Sequence, residues 1–143
     1  MDLIESLKRQ ERVREDYWKN VDYFLPVRLK WRAQMVRHLF HLFPENSLLE
    51  VGSGSCQWTR EISAANGNRN PICAAIFNKE MYEGNQHGCF PENVKRIHLD
   101  SFPGKLSERR FDFIVGYQLL TDENAGMLLS ELKRLLKPGG QIL

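Results

Sequence analysis

Residues able to do chemistry are few in this chain of 143 residues, and they gather at one glycine-rich break. Leu48-Leu49-Glu50-Val51 is a short apolar run carrying one acid, and Gly52-Ser53-Gly54-Ser55-Cys56 follows it directly. Thr59-Arg60-Glu61-Ile62 then resumes at helical spacing. This is the pattern of a buried parallel strand, a tight turn and a helix whose N-terminus points at a ligand. Gly52 and Gly54 permit positive φ and a close approach of the backbone. Free N–H groups and the helix dipole favour an electron-rich partner there. Asn78 and Glu80 follow a second apolar run, roughly twenty residues on, where nucleotide-binding α/β folds place a ribose-holding acid. Their plainer reading is helix N-terminal chemistry, with Asn78 as N-cap and Glu80 in the first turn. Asp100-Ser101-Phe102-Pro103 follows a third run, and Asp before Ser and Pro favours a turn in any case. His87, His98 and Asp122 stand alone and read first as structural or surface residues. His87-Gly88-Cys89 with His98 and Cys73 lacks C-x-x-C or H-x-x-x-H spacing, so no metal site is expected.

The elements that must position these residues alternate between strand and helix. Residues 3 to about 20 read as a partly exposed amphipathic helix with Leu3, Leu7, Val13 and Trp18 among dense charges. A break at 22–26 leads to a second helix, 27–43, with a wide apolar stripe and with Arg28, Lys30, Arg32 and Arg37 on its solvated face. After the first strand and its helix, Asn66-Gly67-Asn68 marks a stop. Further strands are expected at 71–77, 94–99 and 111–116. A helix from Asn124 to Lys137 is expected to end at Pro138-Gly139-Gly140, a tight turn into a fifth strand at Gln141-Ile142-Leu143. The fold class is therefore α/β, a Rossmann-like, doubly wound and mostly parallel sheet of about five strands behind an N-terminal helical extension. The division expected is 1–45 for the extension and 46–143 for the sheet domain.

The order Glu50-x-Gly52-x-Gly54-x-Cys56 resembles the first motif, D/E-x-G-x-G-x-G, of class I S-adenosylmethionine-dependent methyltransferases, with Cys56 in place of the third glycine. Phe111-Asp112-Phe113-Ile114-Val115 is similar to the family's fourth strand, and Glu131-Leu132-Lys133-Arg134-Leu135-Leu136-Lys137-Pro138-Gly139-Gly140 to the approach to its fifth. The resemblance covers roughly residues 46 to 143. It implies S-adenosylmethionine as cofactor, with Glu50, Gly52, Ser53 and Gly54 under its methionine part. It implies further that Asp100 accepts from the adenine amino group, that the backbone at Ser101 meets the ring edge, and that Tyr117 and Gln118, in the row facing the methyl group, line the cofactor or substrate site, with Tyr117 reading equally as core. Matching Lys79-Glu80-Met81 to the family's continuation puts Ile76 where the ribose acid belongs. Isoleucine accepts no hydrogen bond, which leaves Asn78 or Glu80 for the ribose. Family members often cover the cofactor with an N-terminal helical segment, a role open to Tyr17, Trp18, Tyr23, Phe24 and Trp31, although aromatic packing alone is the simpler reading. The full family sheet has seven strands, so the chain reads as a fragment.

Composition narrows the partners. A net charge of +2 gives no strong nucleic-acid signal. The apolar runs are too short to span a bilayer, and the acidic start, Met1-Asp2-Leu3-Ile4-Glu5, is unlike a signal peptide. Three cysteines without framework spacing suggest reduced thiols in a cytoplasmic protein. The leading expectation is methyl transfer to a small-molecule acceptor, without a nameable general base; the Asp/Asn-Pro-Pro-Tyr pattern of amino-methylating enzymes is missing after the fourth strand. A non-catalytic cofactor-binding or interaction module is the alternative. An NAD(P)-dependent oxidoreductase is disfavoured by Gln57, where the G-x-G-x-x-G fingerprint needs a small residue. Oligomeric state is not legible.

Overall fold

Four-to-six-residue runs of aliphatic side chains, separated by glycine, proline and asparagine breaks, have one low-energy solution: parallel strands covered on both faces. The structure, a computed structural model, describes residues 2–20, 23–84 and 88–143. Two helices come first, α1 (Leu3–Asn20) and α2 (Leu25–Phe40). Then follow β1 (Leu48–Val51), α3 (Gln57–Ala65), β2 (Ile72–Ile76), α4 (Lys79–Gly84) and β3 (Val94–His98). A 3-10 turn at Gly104–Leu106, β4 (Phe111–Gly116), α5 (Ala125–Arg134) and β5 (Leu136–Ile142) complete the chain. The five strands form one parallel sheet in the order β3-β2-β1-β4-β5. The order reverses between β1 and β4, so the switch point where such sheets bind ligands lies beyond the carboxyl ends of these two strands, with β2 beside β1.

Alternation along the strands assigns the two faces. Leu49, Val51, Cys73, Ala75 and Ile114 point into a core closed by α5 and by Leu3 and Leu7 of α1. Leu48, Ile72, Val94 and Val115 point into a second core closed by α2 and α3, which also takes Trp18. Helix α1 thus begins on one face of the sheet and finishes on the other, crossing over the carboxyl ends of β1 and β2.

Several boundaries differ from the sequence expectation, most of all those of α2, α5 and β5. Helix α2 begins at Leu25, because Pro26 sits in its first turn, where the missing N–H has no helical partner to lose. It ends at Phe40 with His41 in the left-handed region. Its buried side chains are Leu25, Leu29, Ala33, Val36 and Phe40, while Trp31, Met35, Leu39 and Phe43 are exposed. Helix α5 stops at Arg134 rather than Lys137. Leu135 is drawn into the core and its carbonyl accepts from Phe111 N at 2.8 Å, so pairing with β4 has begun before the proline. Pro138 also disfavours a helical Lys137. Leu136 pairs with Phe111 and Gln141 with Phe113, so residues 137–140 bulge out of the ladder where a turn between helix and strand was expected. Val13, expected on the buried stripe of α1, is exposed, and Glu11 and Arg14 are buried in its stead.

Candidate functional site

The β1–α3 turn carries the expected backbone. Gly52 and Gly54 lie at φ +73° and +55°, and Cys56, in place of a third glycine, also takes a left-handed φ of +62°. A Cβ added at Gly54 would stand 2.2 Å from Oε1 of Glu15 and 2.8 Å from Nη2 of Arg14. A side chain at Gly54 would have to displace the ends of Glu15 and Arg14 and would be strained at this positive φ.

Glu50 turns inward from β1 and is buried. Thr59 Oγ1, one turn into α3, donates to its Oε1 at 2.6 Å, while Oε2 is buried with no hydrogen-bond partner among the described residues. Burial lifts the Glu50 carboxyl to a pKa of about 7, opposed by the Thr59 hydrogen bond and by Arg14, and reinforced by Glu15 and Glu11. Ser53 is buried, its hydroxyl donating to the carbonyl of Glu50 at 3.1 Å. Burial, with Glu50 nearby, raises the Cys56 thiol to about 11, so it is an inert packing group at neutral pH.

The crevice beyond this loop receives side chains that the charge-rich text of α1 did not suggest. The Glu11 carboxylate accepts from Gly54 N at 3.1 Å and from Phe77 N at 3.1 and 3.2 Å. It also accepts from Asn78 N and Asn78 Nδ2, each at 2.9 Å. Glu11 is 0% exposed, and burial raises its pKa against the pull of these hydrogen bonds and of Arg14. Glu15 accepts from Ser55 N at 3.1 Å, from Ser55 Oγ at 2.7 Å and from Arg14 Nη2 at 2.8 Å. Arg14 lies over the Trp18 ring at 4.4 Å, and its Nε and Nη1 are buried without a hydrogen bond among the described residues. Position could have exposed these residues: Leu3, Leu7, Glu11, Arg14 and Trp18 recur at four, four, three and four, one face of a helix.

The other expected site residues are spread around this crevice. Asn78 sits at the end of β2, and its side chain is taken up by α1, donating to Lys8 O and Glu11 and accepting from Arg12. Arg12 also pairs with Glu80. Ile76 is buried with Cys56 and Ala74, facing away from Phe77. Asp100 and Ser101 follow β3 and are exposed, with Asp100 Oδ1 3.6 Å from His98 Nε2. Tyr117, just past β4, is buried edge-on between Trp18 and Trp58, at centroid distances of 5.2 and 5.4 Å, with Arg32 stacked over it at 4.7 Å. His87 lies outside the described residues. Tyr17, Tyr23, Phe24 and Trp31 are exposed and Trp18 is buried; Tyr17 and Trp18 line a cavity of about 490 Å³ with Arg14, Arg28, Arg32 and Tyr117. This cavity opens beside the end of β4, and Gln10, Val13, Gln118 and Leu120 complete its lining, so it is mixed aromatic, cationic, amide and aliphatic.

Comparison with known proteins bears on this architecture. The family described as the ubiE/COQ5 methyltransferase family matches residues 10–143. A demethylmenaquinone methyltransferase of Staphylococcus epidermidis is 30% identical over 115 residues, which cover 79% of this chain and 47% of that protein. The chain spans about half the length of the curated relatives it matches. Among solved structures, the plantazolicin methyltransferase BpumL, in complex with a desmethyl substrate analogue and S-adenosylhomocysteine, superposes with a TM-score of 0.64 at 16% identity, over 94% of this chain and 55% of that one. An S-adenosylmethionine-dependent methyltransferase from Thiobacillus denitrificans gives 0.58 at 19% identity, over 77% and 45%. At these identities the superpositions speak for the fold.

Proposed function

Because the chain belongs to the ubiE/COQ5 methyltransferase family, we propose that it binds S-adenosylmethionine at the β1–α3 turn and serves methyl transfer to a small, quinone-like acceptor. The observation that carries the reading is the buried, half-satisfied Glu50 beneath a left-handed glycine turn. Its Oε2 has room in its bonding for one more donor, which suits an ammonium group, and an incoming positive charge would favour the ionised carboxylate. Gly52, Ser53 and Gly54 keep the loop free of side chains on the ligand side. Asp100 and Ser101 stand at the end of β3 for the heterocycle, and Asn78 at the end of β2 for the sugar.

S-adenosylmethionine, when bound, supplies a methyl group already made electrophilic by its sulfonium. The protein's part is then to position and desolvate the acceptor. The demethylmenaquinone methyltransferase relatives suggest a quinone-like acceptor, which in its reduced form would carry ionisable ring hydroxyls. The 490 Å³ cavity suits such a molecule, since Tyr17, Trp18 and Tyr117 offer ring faces and edges while Arg28 and Arg32 favour a phenolate. Tyr117 and Gln118 border both this cavity and the end of β4. The thiols Cys56 and Cys73 are buried and Cys89 is exposed, all three unpaired, which fits the reducing cytoplasm. Among the described residues no helix is long and apolar enough to cross a membrane.

Calorimetric titration with S-adenosylhomocysteine, beside Asp100→Ala, tests the cofactor half. Saturable binding that weakens in the variant is expected, and no binding by folded protein overturns the reading. Transfer of labelled methyl to a naphthohydroquinone, compared with amine and carboxylate acceptors, tests the acceptor class.

A further inference from the structure

Helix α1 touches the sheet's ligand end through carboxylates, and these sit on the very groups a ligand would use. Glu11 bridges the two walls of the crevice, accepting from Gly54 N on the glycine loop and from Phe77 N and Asn78 N at the end of β2. Glu15 takes Ser55 N, immediately before α3. Backbone amides exposed at a strand end and ahead of a helix are sites for electron-rich ligand atoms. Here α1 supplies those atoms itself, and with Glu11 fully buried and Gly54 closed over by Glu15 and Arg14 there is no space left between loop and helix.

The docked arrangement is also imperfect. Arg14 is brought in beside Glu15, yet two of its three guanidinium nitrogens lack a hydrogen bond among the described residues. A buried cation so incompletely paired weighs against the docked state. Asn78 works the other way: its side-chain amide is tied to Lys8 O and Glu11 of α1, favours docking, and is released only when α1 leaves.

We propose that α1 is a self-ligand of the cofactor crevice: Glu11 and Glu15 hold the glycine loop and the β2 end closed, and S-adenosylmethionine binds in competition with the helix. The proposal rests on reading that crevice as the cofactor site. Two states follow, one with α1 docked and one with α1 displaced and Gly54, Phe77 and Asn78 open to the ligand. Apparent affinity is then lowered by the fraction of molecules that are docked. Weakening the carboxylate contacts tightens cofactor binding rather than loosening it, the opposite of what residues that contact the cofactor would do.

The test compares the protein with its Glu11→Gln/Glu15→Gln variant, which keeps side-chain shape and removes the charge. Titration with S-adenosylhomocysteine should give a dissociation constant at least about tenfold lower in the variant, the expected effect of removing charge-assisted hydrogen bonds from the competing state. An unchanged or raised constant in the variant, with binding by the parent intact, overturns the self-ligand and leaves the cofactor site standing. Failure of both folded proteins to bind overturns the site and the self-ligand together. Limited trypsinolysis of the parent needs no substitution at all. Cleavage after Arg9 and Arg12 should quicken when S-adenosylhomocysteine is added, and protection of these bonds would show α1 closing over the ligand instead, overturning the competition.

Discussion

The two N-terminal helices are attached to the same sheet by opposite chemistry. Helix α2 buries Leu25, Leu29, Ala33, Val36 and Phe40 and no charged side chain. Helix α1 buries Leu3, Leu7 and Trp18 but also Ser6, Glu11 and Arg14, and its central contacts are carboxylate oxygens on backbone amides. Apolar packing has no substitute in water, so α2 is a permanent wall. An amide's acceptor can be exchanged for another acceptor, so the middle of α1 is held by bonds that a ligand can take over. One helix is a fixed part of the body, and the other is held over the proposed cofactor crevice by exchangeable bonds.

Substitutions can break this contrast or sharpen it. The largest effect is expected for Leu29→Ala in α2, a site 2% exposed between α3 and the sheet. It should lower stability by about 2–5 kcal/mol in urea unfolding, by lost transfer energy and a residual cavity. A loss below about 1 kcal/mol would mean α2 is not the fixed wall it is taken for. Next comes Glu50→Gln. The folded carboxyl titrates near 7 against an ordinary 4.5, so the folded state holds a proton that the unfolded chain releases between those values. Stability from this group is full below the ordinary value and is lost as pH rises through about 7. The neutral amide escapes that loss. The variant's stability advantage should therefore grow by about 2–3 kcal/mol between about pH 5 and about pH 8, measured by urea unfolding at both. A gap that does not move with pH would show that Glu50 is not the group holding the proton in the folded state. The smallest effect belongs to Trp31→Ala, whose ring is 60% exposed on the outer face of α2. Stability should stay within about 0.5 kcal/mol of the parent, and a larger loss would show that the face is covered in solution.

The same contrast explains what could be read in the amino-acid sequence. The parallel sheet, the glycine turn and β4 at 111–116 were legible because aliphatic runs and glycines answer to local rules. The wide apolar stripe of α2 was legible as a stripe, but not which half of it faced inward, since Trp31 and Leu39 are as apolar as Leu29 and Val36. Glu11 was legible only from its place on the Leu3, Leu7 and Trp18 face, not from its residue type. A glutamate among alternating charges reads as solvated, and only its long-range partners, the amides of residues 54, 77 and 78, make burial tolerable. The end of α5 was misplaced because Leu135 and Leu136 continue the helical stripe in sequence, while in space they belong to the core and to the edge of β4.

The path of α1 across the sheet also has a consequence for the order of assembly. Its first turns belong to one core and its last turn to the other, while the partners of Glu11 lie 43 to 67 residues away along the chain. Loops of that length close late, after neighbouring strands and helices have found each other. Although α1 leaves the ribosome before the sheet, the amides it needs exist only once β1 and β2 are paired. A helix made before the sheet is thus installed after it, and it arrives at a crevice already finished, where any dissolved ligand has had the same opportunity to enter.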